Sequence, residues 1–154
     1  MSSDTGDTPL TRNKALQHYQ NFMDMSAHFR ADMGAVPTSF YFLMEDDRLV
    51  LVPLPSSLDN AGILIYIQTL AGHLGAQYVL SVTETWMKTN EGNIEIDVAL
   101  KEDPDAVEVL LATIDGAGLQ RRSTARIHPD GSLGPFVPTE GLQLPDMSGA
   151  ADFN

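Results

Sequence analysis

Apolar and polar positions follow two different periods along this chain. From Leu10 to Met33, apolar Leu16, Tyr19, Met23 and Ala27 recur every three to four residues. This predicts an amphipathic helix with Thr11 as its N-cap and Gly34 as its stop. "SFYFLMEDDRLVLVPLP" then holds two apolar runs, Phe40 to Met44 and Leu49 to Leu54, around a short acidic turn. That pattern predicts a β-hairpin. Both faces of both strands are apolar, so the hairpin is expected to be central and covered on each side, with Pro53 and Pro55 ending the pairing.

"SSLDNAGILIYIQTLAGHLG" opens on capping residues and closes on glycine, and Ile63, Ile67, Leu70 and Leu74 form one helical stripe. A second helix is expected there, well buried because Ile65 and Tyr66 widen its apolar surface. A strand over Gln77 to Met87 should follow, then a polar turn, then "IEIDVAL" with Ile94, Ile96, Val98 and Leu100 inward and Glu95 and Asp97 in water. "EDPDAVEVLLATIDGAG" admits a helix capped by Asp103, with Pro104 at its first position. An Asp115-Gly116 turn between two strands competes with that reading, and strand is favoured. "LGPFVP" supplies a short edge strand.

The resulting order, helix, hairpin, helix, antiparallel meander, predicts an α+β fold with two helices packed on a mostly antiparallel sheet of about five to six strands. The length of 154 residues and 43% hydrophobic content suit a single domain. It is expected over residues 10–137, with residues 1–9 and 138–154 as flexible tails on their polar, turn-rich composition. The chain has no cysteine, which removes disulfides, thiolate metal sites and cysteine nucleophiles. No apolar run is long enough to span a membrane and the start lacks a signal-peptide pattern, so a cytoplasmic protein that does not engage membranes is expected.

Nine basic against 21 acidic residues give a formal net charge of −12. A surface of that sign repels phosphate backbones, so direct nucleic-acid binding is not expected. The acids crowd locally: Glu84, Glu91, Glu95, Asp97, Glu102, Asp103, Asp105 and Glu108, offset in that stretch by Lys88 and Lys101. His18, His28, His73 and His128 lack the close spacing of a local metal-ligand pair, and neither a metal site nor a cofactor is implied. Glu45, Asp46 and Asp47 fall at a hairpin tip, where turn chemistry explains them better than a carboxylate dyad. Gly72 and Gly75 follow a helix, whereas phosphate-cradling glycines precede one.

Two sets of residues remain as candidate binding groups. Alternation places Glu84 on the same strand face as Leu80, Val82 and Trp86. Its polar flanks point to a solvated carboxylate where the strand leaves the core, with Trp86 as a partly exposed anchor beside it and Met87 next in sequence. Arg121, Arg122 and Arg126 are basic residues concentrated on an acidic chain; they suit an anionic group, or cross-strand pairing with neighbouring acids.

"YVLSVTETWM", preceded by "RLVLVPLP" and a helix and followed by "EDPDAVEVLLATID", resembles a family of small uncharacterised α+β domains of bacteria and their phages. The resemblance spans residues 40–133 and implies the same element order and a prokaryotic or phage origin, with no activity or site residues attached. The expected function is a non-enzymatic, acidic protein-interaction or accessory module. Its expected partner is a protein, basic in the charge-complementary case, and self-association into a homo-oligomer is compatible with the sequence. Two alternatives stand beside it: a small hydrolase using Glu84 or the hairpin carboxylates, and an acidic nucleic-acid mimic that inhibits a DNA- or RNA-binding protein.

Overall fold

The computed structural model describes residues 11–90, 93–116 and 118–139. In chain order the elements are α1 (Arg12–Met33), β1 (Ser39–Met44), β2 (Leu49–Val52), α2 (Asn60–Leu74) and β3 (Ala76–Asn90), then β4 (Asn93–Ile96), a short 3-10 helix (Val98–Glu102), β5 (Val107–Gly116), β6 (Leu119–Ile127) and β7 (Leu133–Pro138). The fold is α+β, with two helices on a seven-stranded, antiparallel-paired sheet, slightly more strands than the sequence pattern predicts. Spatial order is β2-β1-β3-β5-β6-β7, and β4 pairs with β3 off that path. Met87 pairs with both β4 and β5, while Val79 to Val82 pair with both β1 and β5. One edge of β3 is therefore shared end to end by β1 and β4, and the other edge belongs to β5.

The helices cover opposite faces. Tyr19, Phe22 and Met23 of α1 pack on Leu43, Leu80, Val82, Leu110, Ala112 and Ile114. Ile67 of α2 packs with Phe42, Val52 and, at the margin, Phe40, Met44 and Val79. Odd and even positions of β1 thus feed different cores, which is why both its faces are apolar. Beneath α1, Tyr19 donates its hydroxyl hydrogen to the Ala112 carbonyl at 2.8 Å, satisfying a polar group in the main core.

The helix boundaries follow local chemistry. Thr11 accepts from the Lys14 N–H at 3.1 Å, and Gly34 ends α1 with φ 84. Asp59 accepts from the Gly62 N–H at 2.8 Å and Gly75 ends α2. The α1 core stripe is Ala15, Tyr19, Phe22, Met23, Ser26 and Arg30, so it continues past the predicted apolar positions into a buried arginine.

Several expectations are corrected. β2 is an edge strand and Leu51 on it is 57% exposed, so only β1 of the hairpin is central. Of α2 only Ile67 is buried; Leu74 and Ile65 are exposed, so this helix is shallowly seated. Strand β4 ends at Ile96 because the Asp97 side chain accepts from the Ala99 N–H at 2.9 Å and starts the 3-10 helix, which leaves Val98 exposed instead of inward. The segment 107–116 is strand, but its hairpin turns beyond the Gly116–Leu119 pair rather than at Asp115-Gly116. Gly116 is needed for another reason: a Cβ there would lie 2.4 Å from the Gln77 carbonyl oxygen. At the C-terminal end, β7 runs to Pro138 and Thr139 donates to the Arg122 carbonyl through its N–H at 2.8 Å, while residues 140–154 lie outside the described residues. The N-terminal residues 1–9 lie outside the described residues.

Candidate functional site

Glu84 stands opposite Leu110 on the α1 face of β3 and is not the solvated carboxylate that its flanks suggest. Its side chain is 21% exposed, and Oε2 accepts from Arg30 Nε at 3.2 Å and from the Val36 N–H at 2.7 Å. Arg30, 10% exposed, donates Nη1 to the Gly131 carbonyl at 2.7 Å. The last turn of α1, the segment after it, the middle of β3 and the β6–β7 turn are thereby tied through two side chains. Charge-assisted bonds of this kind hold elements in register.

The β6–β7 turn has its own internal order. His128 N–H donates to the Ser132 carbonyl at 2.9 Å, Gly131 adopts φ 90, and Asp130 Oδ1 accepts from the Ser132 hydroxyl at 2.6 Å and its N–H at 2.9 Å. The Ser132 hydroxyl, followed by its N–H, holds the Asp130 carboxyl below the usual carboxylate range. This turn and α1 form the two banks of an open trough. On one side of the Arg30–Gly131 bond lies a cavity of about 720 Å³ between Asp24 and His28 of α1 and Asp130 to Gly134. On the other lies one of about 340 Å³ walled by Trp86, Val107, Glu108, Arg126, Ile127 and His128. The indole is half-buried in this second cavity, next to Glu108 across the β3–β5 pair.

The predicted binding residues therefore separate. Trp86 and Arg126 share a cavity, and Glu84 lies under it by holding Arg30. Met87 is on the opposite face, packed with Ile94, Ile96 and Leu111. Arg121 is opposite Ile114 and Arg122 opposite Thr113, so these two point to different faces, and no acid stands directly across from either. Arg126 likewise faces Val109, and Asp115, diagonal to Arg122 across the β5–β6 pair, is the acid that acts on Arg122. Arg122 is half-buried, with no hydrogen-bond partner for Nε among the described residues; burial depresses its pKa, partly offset by Asp115 and Tyr19. Burial in turn raises Asp115, which Gln120 and Arg122 counter.

Three further acids pair with cations. Asp46 pairs with Arg48 at 2.7 Å, and Asp47 reaches Lys14 at 3.1 Å and His18 on α1. Lys88 pairs with Asp103 at 2.8 Å, which lowers the pKa of the acid and raises that of the amine. Among the described residues, no three His, Asp or Glu side chains converge as a metal site would require, and no helix is long and apolar enough to cross a membrane.

Sequence reasoning missed Arg30, His128 and the β6–β7 turn as parts of the site. Arg30 carried a usable signal: it continues the stripe Tyr19, Phe22, Ser26, and a basic residue at the end of a buried stripe requires an acid. No family model, curated protein or solved structure matches the chain. The resemblance to small bacterial and phage domains accordingly rests on its sequence pattern alone.

Proposed function

We propose that this chain is a non-enzymatic protein-interaction or accessory module that receives a segment of a partner protein in the trough beside Trp86. The half-buried indole in that open cavity carries the reading. An aromatic anchor in an open cavity also lined by Arg126, His128 and Glu108 has the composition of an interaction hot spot. The chain's net charge of −12 favours a partner that brings basic groups. A prokaryotic or phage source remains part of the proposal, supported by the resemblance described above.

The hydrolase alternative is less well supported. Glu84 already accepts from Arg30 and the Val36 N–H, and the hairpin acids Asp46 and Asp47 are engaged by Arg48 and by Lys14 with His18. A general acid or nucleophile needs a carboxyl free to face substrate. The nucleic-acid mimic rests on net charge alone.

Affinity capture with the wild-type chain and with Trp86→Ala tests the proposal. The expected result is a protein partner whose capture weakens by at least about tenfold in the variant, while the variant keeps a cooperative melt. Equal capture by both chains would remove Trp86 from the interface. Loss of the cooperative melt in Trp86→Ala would make the indole structural.

A further inference from the structure

Between Leu49 and Gly75, Asp59 is the one residue among Asp, Glu, Lys and Arg, on a chain whose net charge is −12. Asp59 is occupied as the N-cap of α2. This stretch builds one side of the molecule: the edge strand β2, the Pro53 to Leu58 connection, and α2. It also leaves apolar groups uncovered: Leu51, 57% exposed, on the α1 face of β2 opposite Tyr41, and Ile65, 65% exposed, on α2 above the other face. The exposed Met25, Phe29 and Met33 on α1 are different, because Asp24, His28 and Asp32 are interspersed among them.

β2 presents Leu49-Val50-Leu51-Val52 with no charged residue inside the strand and no further strand outside it among the described residues. Exposed edges of soluble proteins are usually guarded by lysine, proline or a bulge. Here the guard is Pro53, which limits any added pairing to a short run. α2 lies on the sheet face served by Val52 and Phe42, next to that edge.

We infer that a second copy of this chain docks along β2 and α2, about a two-fold axis at the β2 edge. Charge selects the occupant. Two bodies of like net charge approach with least repulsion through the side that carries almost none, and a side without charge offers nothing to select an oppositely charged partner. An antiparallel β2 pair is self-complementary, as a two-fold contact must be, and it sets the two α2 helices side by side on the same face. The short strand contact supplies register; Ile65 and its neighbours on α2 supply apolar area.

The test is sedimentation velocity on the full chain from about 1 to 200 μM, a range that brackets moderate self-affinity. A dimer is expected, and it should tighten as NaCl rises from about 50 to 500 mM, because salt screens the mutual repulsion and leaves apolar burial intact. Leu51→Lys and Ile65→Lys should each weaken it at least about tenfold, with unchanged circular dichroism because both side chains are exposed. Trp86→Ala should leave it unchanged, which separates this contact from the trough. A monomer at the highest concentration and salt overturns the proposal. So does a dimer that persists with both lysines present, or one dispersed by Trp86→Ala instead.

Discussion

Arg30 and Glu84 are 54 residues apart in sequence and meet with Nε 3.2 Å from Oε2, at the point where the end of α1 crosses β3. The arginine is spent on Glu84 and the Gly131 carbonyl, and the carboxylate on Arg30 and the Val36 N–H.

Glu84→Gln keeps an acceptor for the Val36 N–H but leaves a nearly buried guanidinium without its counter-charge. Breaking a buried pair by removing one partner costs about 3–5 kcal/mol, and the retained acceptor brings the expected loss down to about 2 kcal/mol. Urea denaturation measures it. A loss under about 0.5 kcal/mol would place the pair among solvent-screened surface bridges. Arg30→Met combined with Glu84→Leu should cost less than the sum of the single changes, as coupled neighbours do.

The hairpin tip is secured to α1 by a pH-dependent hook. Asp47 is held below its ordinary pKa by the His18 hydrogen bond first and by Lys14 second. A depressed folded-state pKa means that the unfolded chain binds the proton more readily. The contribution is therefore present above the unfolded value near pH 4 and is lost as pH falls through the lower folded value. Asp47→Asn should remove this part of the acid limb while leaving the turn intact, since asparagine tolerates the φ of 78 found there. Carboxyl-detected NMR titration of the wild type checks the sign: a midpoint for Asp47 above about 4 would contradict the hook.

Gly116→Ala should be among the most damaging single changes in the sheet. The new methyl would meet the Gln77 carbonyl oxygen at 2.4 Å with φ at 147, so β5 must move away from β3 at a cost of about 3 kcal/mol or more. Gly118→Asn is the control, because a Cβ at Gly118 meets nothing within 4 Å and φ is 79; its cost should stay near 1 kcal/mol. Thermal melts of the two variants that coincide would show that β5 yields freely.

Where local chemistry decides an element, the sequence was readable. Thr11 and Gly34 bracket α1, the acidic turn separates β1 from β2, and the strand period outweighs the Asp103-Pro104 helix signal in β5. Where a distant group decides, it was not. The turn after β5 shifted because Gly116 answers to Gln77 rather than to its own turn. Val98 left the strand because the Asp97 side chain captured the Ala99 N–H. For α2, period identifies the inward side but not how much of the sheet lies beneath it, and only Ile67 is covered. The trough was half visible: Trp86 stood out by composition, but the buried position of Arg30 required the packing of α1 to be known.

The division of β3 also bears on how the chain is made. Synthesis completes β1, α2 and β3 before β5, so the β3 edge that β5 will occupy, including Val79 to Val82, stays unpaired until residues 107–116 emerge. An unpaired edge in a growing chain invites pairing with its neighbours on the same message. The residues made in that interval are the ones crowded with Glu91, Glu95, Asp97, Glu102, Asp103 and Asp105. Like charges on neighbouring nascent chains repel, which opposes pairing at the waiting edge.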